Sequence, residues 1–335
     1  KTTFTKDLSK LPLHAYHLDS YLTAQYIKEK TNVKTINANI KEVCVEDTNI
    51  SKLILDDGTE IFSDLFLDCT GSQKVLMSKL NNQWKSYADY LPVNSAVTFS
   101  KPHDGKYEQV TKCEAMSSGW LWTIPKRDAF GMGYVYCDKY ISDEDAIKEL
   151  GEDAEVTGKI KFESGRLERP WMGNCIALGL SSSFLEPLQA TSIHTLIVQL
   201  GVLSGRYLQE TNNQSNINSY NRFVNNMVDD FMQYVNMHYS GSGLGTEFWN
   251  NSTLTEQNKE LIEIAKIRAL YRDDFNNSYY GSAGSQLWMY TMMGMGHLSE
   301  LEVDWTVQMK DHLETSLKNS EDMLTVQEFD KILSI

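Results

Sequence analysis

The chain has 335 residues, 41% hydrophobic and 11% aromatic, which is apolar material for one large domain or two ordinary ones. Its 31 Lys+Arg stand against 45 Asp+Glu, so the net charge of −14 argues against a nucleic-acid groove and reads as a solvated, acidic surface. No apolar run approaches the ~20 residues needed to span a bilayer, and the five cysteines contain no CxxC, which argues against a zinc knuckle or a redox dithiol.

Reduced, mostly buried thiols in a cytoplasmic protein fit that cysteine pattern. The start, KTTFTKDLSK, lacks the apolar core of a signal peptide and an initiating Met, so the chain is read as a fragment. Residues 16–30 carry a helical stripe of Leu18, Leu22, Tyr26 and Ile27. Val33 to Val45 alternate as a strand, and ILDDGTEIF places an Asp-Gly turn between two apolar runs, a hairpin signal. LFLDCTG (65–71) is read as a buried strand ending in a small-residue turn, where a cofactor or another backbone can approach closely. Strands follow around 93–99, 111–116, 119–124 and 130–136, and GNCIALGL (173–180) is another buried strand. A long helix is expected from about Thr191 to Leu208. After a loop or linker at TNNQSNINS (211–219) the chain turns helix-rich: Ile217, Tyr220, Phe223, Val224, Met227, Val228, Phe231, Met232 and Val235 recur at helical spacing, and 254–270 and 304–318 are further candidates.

Two stretches bear on chemistry. In GWLWTIP (119–125) the period of two puts Trp120, Trp122 and Ile124 on one strand face, either as core residues or as the wall of a dry cavity. In GNCIALGLSSSFLEPLQATSIH (173–194) a strand ends at Gly179 and a helix begins near Thr191, which can act as its N-cap. A helix N-terminus offers backbone N–H groups to an anion, although for the segment taken alone an ordinary capped helix is the favoured reading. No His, Cys or carboxylate cluster has metal-ligand spacing, so no metal is expected; His14 and His17, three apart at a helix start, do not make a site. NNSYYGSAGSQLWMYTMMGMGH (276–297), rich in Tyr, Trp and Met, reads from its residues as helix-packing core with Met filling gaps.

The order GWLWTIP, FGMGYVY, GNCIALGLSSSFLEPLQATSIH resembles the flavin-dependent halogenases of the tryptophan-halogenase family, along most of residues 14–250. Trp120, Trp122, Ile124 and Pro125 stand as its WxWxIP signature, HAYHLDSYL (14–22) is similar to its aromatic-His-Asp helix start, and FMQYVNMHYS with TEFW also matches. The asparagine- and lysine-rich composition suits a marine phage or low-GC bacterial member. The resemblance implies a mixed α/β (α+β) fold of the FAD-binding, two-dinucleotide-binding-domain type, with an antiparallel sheet layer. Residues 1–210 would form part of the FAD-binding monooxygenase-like domain, with the substrate-side sheet at about 84–165, and 211–335 a helical, substrate-covering region.

The implied activity uses reduced FAD from a separate flavin reductase, oxygen and chloride, bromide or iodide. It makes hypohalous acid, which reaches a catalytic lysine and then a small, electron-rich aromatic substrate behind a wall that protects the enzyme's own Met and Cys. By the resemblance, the backbone N–H groups of Thr191 and Ser192 hold the halide, and Val43, Leu180 and Ile193 contact FAD. Gln189 stands where tryptophan-specific members carry a glutamate, and Glu186 matches a structural position. An amide cannot accept a proton, a role worth ~10²–10⁴-fold, so more activated rings or the heavier halides are expected. GxGxxG and the catalytic lysine lie upstream in the family and do not occur here: GSGLG (241–245) follows a helix and Lys79 matches no catalytic position. A flavin monooxygenase that hydroxylates, and a non-catalytic flavin-binding protein, are the competing readings. A homo-oligomer is compatible with the sequence.

Overall fold

The computed structural model describes residues 18–105, 107, 110–126, 129–151, 155–268, 270, 274 and 283–298, with the backbone of two short strands, β1 (Thr3–Thr5) and β16 (Met323–Thr325), which pair antiparallel. His14, His17, residues 276–282 and the helix expected over 304–318 lie outside the described residues.

Helix α1 (Ser20–Lys30) begins where Asp19 accepts from the Leu22 amide at 2.9 Å and ends with Lys28 and Lys30 in its last turn, which suits the helix dipole. Its apolar stripe is not buried: Leu18, Leu22, Tyr26 and Ile27 are 56–64% exposed, because none of the described residues covers that side.

Strands β2 (Ile40–Glu46), β3 (Asn49–Leu55) and β4 (Glu60–Ile61) form an antiparallel sheet in that order. The strand expected from Val33 starts only at Ile40, since its partner β3 ends at Leu55, opposite Ile40. The Asp-Gly hairpin is present, with Gly58 at φ 86°. Strand β5 (Phe66–Asp68) buries one side only: Phe66 and Asp68 face inward while Leu67 is 47% exposed.

The central sheet is antiparallel. Strands β7 (Ser95–Pro102), β8 (Lys112–Met116), β9 (Gly119–Pro125), β10 (Ala129–Tyr136) and β11 (Val156–Lys161) are ordered β11-β7-β10-β9-β8, so the four strands expected between 93 and 136 all occur. Gly133 sits opposite Trp122; a Cβ there would come 2.1 Å from the indole, so the ring's place requires the glycine. Helix α2 (Asp143–Glu149), capped by Ser142, packs Ala146 with Val97, Tyr134 and Tyr136 on one face.

Small strands link this sheet to the rest: β6 (Trp84–Ser86), β12 (Gly165–Leu167) and β15 (Ser183–Phe184) in one sheet, and β13 (Trp171–Met172) and β14 (Cys175–Ala177) with β5 in another. Strands β14 and β5 run parallel, with Ala177 opposite Asp68, and β14 is fully buried as expected.

Helix α3 (Thr191–Val202) continues through a π-type turn at Leu203–Tyr207 and a 3₁₀ turn at Leu208–Glu210. The segment read as a linker over 211–219 is mostly helix. Asn213 accepts from the Ser215 and Asn216 amides and starts the 24-residue α4 (Gln214–Met237) there, a cap signal read as loop composition. The expected stripe of α4 is buried, with Phe223, Val224 and Val235 in the same core cluster as Trp120, Val135 and Trp171. Arg166 reaches Asp229 with two bonds of 3.0 Å, and Tyr87 donates to the same carboxylate, tying α4 to β12.

Helices α5 (Glu247–Asn251), α6 (Glu256–Ile267) and α7 (Ser285–Gly294) complete the helical C-terminal region. Trp288, Met289 and Met292 of α7 are buried with Leu261 and Ala265, whereas Leu287 and Tyr290 are about half exposed. Of the cysteines, Cys137 and Cys175 are buried, Cys44 is intermediate, and Cys69 and Cys113 are exposed; the expectation of mostly buried thiols fails on those edge positions. No helix among the described residues is long and apolar enough to cross a membrane.

Candidate active site

The carboxyl ends of the parallel strands β5 and β14 lie side by side, where open α/β sheets leave room for ligands. Asp68, fully buried, organises the turn after β5: its carboxylate accepts from the Thr70, Leu76 and Met77 amides and the Thr70 hydroxyl. The Ser181 hydroxyl donates to Asp68 at 3.1 Å and to the Gly71 carbonyl at 3.0 Å, which joins this turn to the one after β14. Both turns use glycine in the left-handed region, Gly71 at φ 71° and Gly179 at φ 60°. Buried Gln199 of α3 accepts from the Gly179 amide and donates to Ser182, fixing α3 against the second turn.

Helix α3 then opens without a side-chain cap. The expected cap, Thr191, is instead the first helical residue, and the N-cap is Ala190 at φ 51°, ψ 33°. Gln189 before it is also left-handed, at φ 63°, ψ 7°. Two successive non-glycine residues in that region cost ~1–3 kcal/mol each and persist only when their surroundings hold them. A 3₁₀ turn at Leu188–Ala190 runs directly into Thr191, and the start of α3, with no side chain capping it, carries the partial positive charge of a helix N-terminus.

What holds the loop is the signature strand. The Trp120 indole N–H donates to Glu186 at 3.1 Å, and the Tyr239 hydroxyl donates to the other oxygen at 2.6 Å. Glu186 is completely buried, and burial raises its pKa to about 7 against the pull of those two bonds. Trp120 and Trp122 share a face, with ring centroids 6.0 Å apart, but only Trp120 is a core residue; Trp122 and Ile124 are partly exposed, and Pro125 is buried where the strand ends.

At the loop's other end, exposed Gln189 donates its amide N–H to His238 Nε2 at 3.1 Å. His238 Nδ1 donates to the Tyr234 carbonyl at 3.0 Å, and burial lowers the ring's pKa. Chain reading missed both His238 and Tyr239. The stretch NMHYS that contains them was matched as a motif, yet no local spacing shows that its two rings meet a loop some 50 residues earlier.

The residues read as flavin contacts divide. Leu180 (42% exposed) and Ile193 (67% exposed) offer apolar surface beside the second glycine turn and at the start of α3. Val43 lies in the β2–β4 sheet and packs on the cluster of Ile50 and Leu53. The two glycine turns, the bare apolar side chains and the open helix end suit part of a flat, anionic cofactor such as FAD. Lys79 is exposed in a turn after β5.

The family model for tryptophan halogenase matches residues 2–311. Tryptophan 7-halogenase RebH of Lentzea aerocolonigenes is 31% identical over 299 residues, covering 82% of this chain and 56% of its own length. The structure of tryptophan 6-halogenase SttH from Streptomyces toxytricini superposes with a TM-score of 0.83 at 26% identity, over 95% of this chain and 67% of that one. Tar14, a tryptophan C-6 flavin-dependent halogenase from taromycin biosynthesis, gives 0.86 at 25% identity over 95% and 68%. The chain thus spans about half the length of the curated relatives it matches.

Proposed function

The chain belongs to the tryptophan halogenase family, and from that premise we propose that it forms the halide-side and substrate-side part of an enzyme that halogenates an electron-rich aromatic ring. The observation that carries the reading is the uncapped start of α3, preceded by two left-handed residues and bordered by the exposed Leu180 and Ile193. A halide needs donors without a competing carboxylate, and the Thr191 and Ser192 amides supply them. Leu180 and Ile193 would contact the flavin; Val43 would do so only through the edge of its sheet. The flavin, when bound as FADH2 from a separate reductase, supplies the electrons that let oxygen oxidise halide to hypohalous acid. Everything else falls to the chain: Trp120 and Trp122 exclude water along the sheet, Glu186 fixes the loop, and Gln189 stands at the substrate side. The reading places the enzyme in the cytoplasm, where the reductase would act.

Gln189 shapes the substrate class. An amide can accept a hydrogen bond but not a ring proton, so the substrate is an activated ring, a phenol or a free indole, and bromide or iodide is favoured over chloride. The test supplies full-length protein with FAD, a reductase and each halide in turn, and reads products by mass. Halogenated phenol or indole is expected, with Gln189→Glu raising turnover of less activated rings by about tenfold or more. Hydroxylated product without halide dependence would identify a monooxygenase instead. Crystals soaked in bromide should show an anomalous peak at the Thr191 and Ser192 amides; flavin bound without that peak would overturn the halide site.

A further inference from the structure

Gln189 is exposed, sits in a backbone region that L-residues avoid, and is nevertheless tied to one partner, His238. The tie has a direction. The Tyr234 carbonyl can only accept, so His238 Nδ1 carries a proton; the neutral ring then offers Nε2 as an acceptor, and the Gln189 NH2 must face it. Tyr234 meets the imidazole edge-on at 5.1 Å between centroids, and Tyr234 is in turn fixed by Trp288 at 5.2 Å and by Thr291, whose hydroxyl is 3.2 Å from the tyrosine hydroxyl. The ring therefore has little freedom to turn. Since the amide NH2 points at the imidazole, its carbonyl oxygen points away from it.

We propose that His238 is a positioning residue that sets the face Gln189 shows to the substrate. The neutral imidazole holds the amide with its carbonyl outward, as an acceptor for the O–H or N–H of an aromatic ring. The site then selects rings that carry such a donor over the same rings with the donor methylated. This rests on the aromatic-halogenase reading above and names the substrate feature it would recognise.

Two measurements decide it. In ¹⁵N-histidine-labelled full-length protein, His238 should show a protonated Nδ1 and an unprotonated Nε2. The Nε2 resonance should move in Gln189→Leu, which removes its donor from an exposed position. A protonated Nε2, or a resonance unmoved in that variant, overturns the pair whether or not the protein brominates anything. The second measurement is the ratio of kcat/KM for bromination of phenol over anisole, with reductase, FAD and bromide. Intrinsic ring reactivity cancels when the wild-type ratio is divided by that of a variant. His238→Leu should lower the ratio about tenfold, chiefly through the KM for phenol, as expected for one lost hydrogen bond. His238→Gln, whose side-chain oxygen reaches the Nε2 position and can accept from the Gln189 NH2, should restore most of it. An unchanged ratio in His238→Leu overturns the selection. Absence of brominated product from any ring in the wild type would sink the parent reading instead, and the Nε2 resonance still judges the pair.

Discussion

The loop from Glu186 to Ala190 has two ends that behave oppositely. Glu186 is fully buried, gripped by Trp120 from the central sheet and Tyr239 from the end of α4. Gln189, three residues on, is exposed, left-handed and held by a single imidazole from that same helix end. One end is an anchor and the other a presenting surface, and both are tied to adjacent residues, His238 and Tyr239. The difference teaches how a strained segment survives here: a rigid, desolvated carboxyl at one end lets two unfavourable backbone conformations stand at the other.

The sharpest way to break that contrast is Trp120→Ala. It removes a buried indole from the core and strips Glu186 of a donor, and it should cost about 4 kcal/mol in urea unfolding. If the anchor view is right, the variant also loses the pairing of Gln189 with His238, read by the same Nε2 resonance.

A gentler probe is Glu186→Gln. Because burial holds Glu186 at about 7, the folded state keeps a proton that the unfolded chain, titrating near 4.5, gives up. Its stabilising contribution is therefore fully present below about pH 4.5 and is lost as pH rises to about 7, by up to ~3 kcal/mol. Wild-type stability minus that of Glu186→Gln, measured by urea midpoint across this window, should fall with rising pH and level off above it. A flat difference would mean the carboxyl titrates normally and is less enclosed than the geometry shows.

The smallest effect belongs to the presenting end. Ala190→Gly removes the left-handed penalty at φ 51° and should stabilise by about 1 kcal/mol, partly offset by the glycine's greater unfolded freedom. A loss of stability there would mean that the methyl group packs rather than strains.

How much of this was legible in the chain varied with the range of the interaction. The hairpin at Gly58 and the four strands between 93 and 136 were readable because alternation and turn chemistry are local. The α4 stripe was readable for the same reason, although the composition around Asn213 reads as linker where the structure makes that residue a cap. The stripe on α1 was also seen, and it misled: periodicity reports that a face is apolar, not that a partner is present, and Leu22 and Tyr26 stay exposed. At the site, the motif order singled out the 186–191 loop and the 119–125 strand, which the structure joins through Trp120 and Glu186. It did not show that Trp120 would spend its N–H on Glu186, or that Thr191 would be the first helical residue rather than the cap.

By itself, then, the sequence determined the strands between 93 and 136, the turn glycines at 58, 71 and 179, the apolar stripes of the helices and the family of the chain, since each of these follows from neighbours a few residues apart or from motif order. Only the tertiary structure decided that Glu186 is an anchor and Gln189 a presenting group, and that His238 and Tyr239 divide the two between them. Those bonds join positions 49 to 66 residues apart. They exist because α4, sharing one core with the central sheet, ends beside the start of α3, a placement set by how buried faces fit together and not by any local pattern.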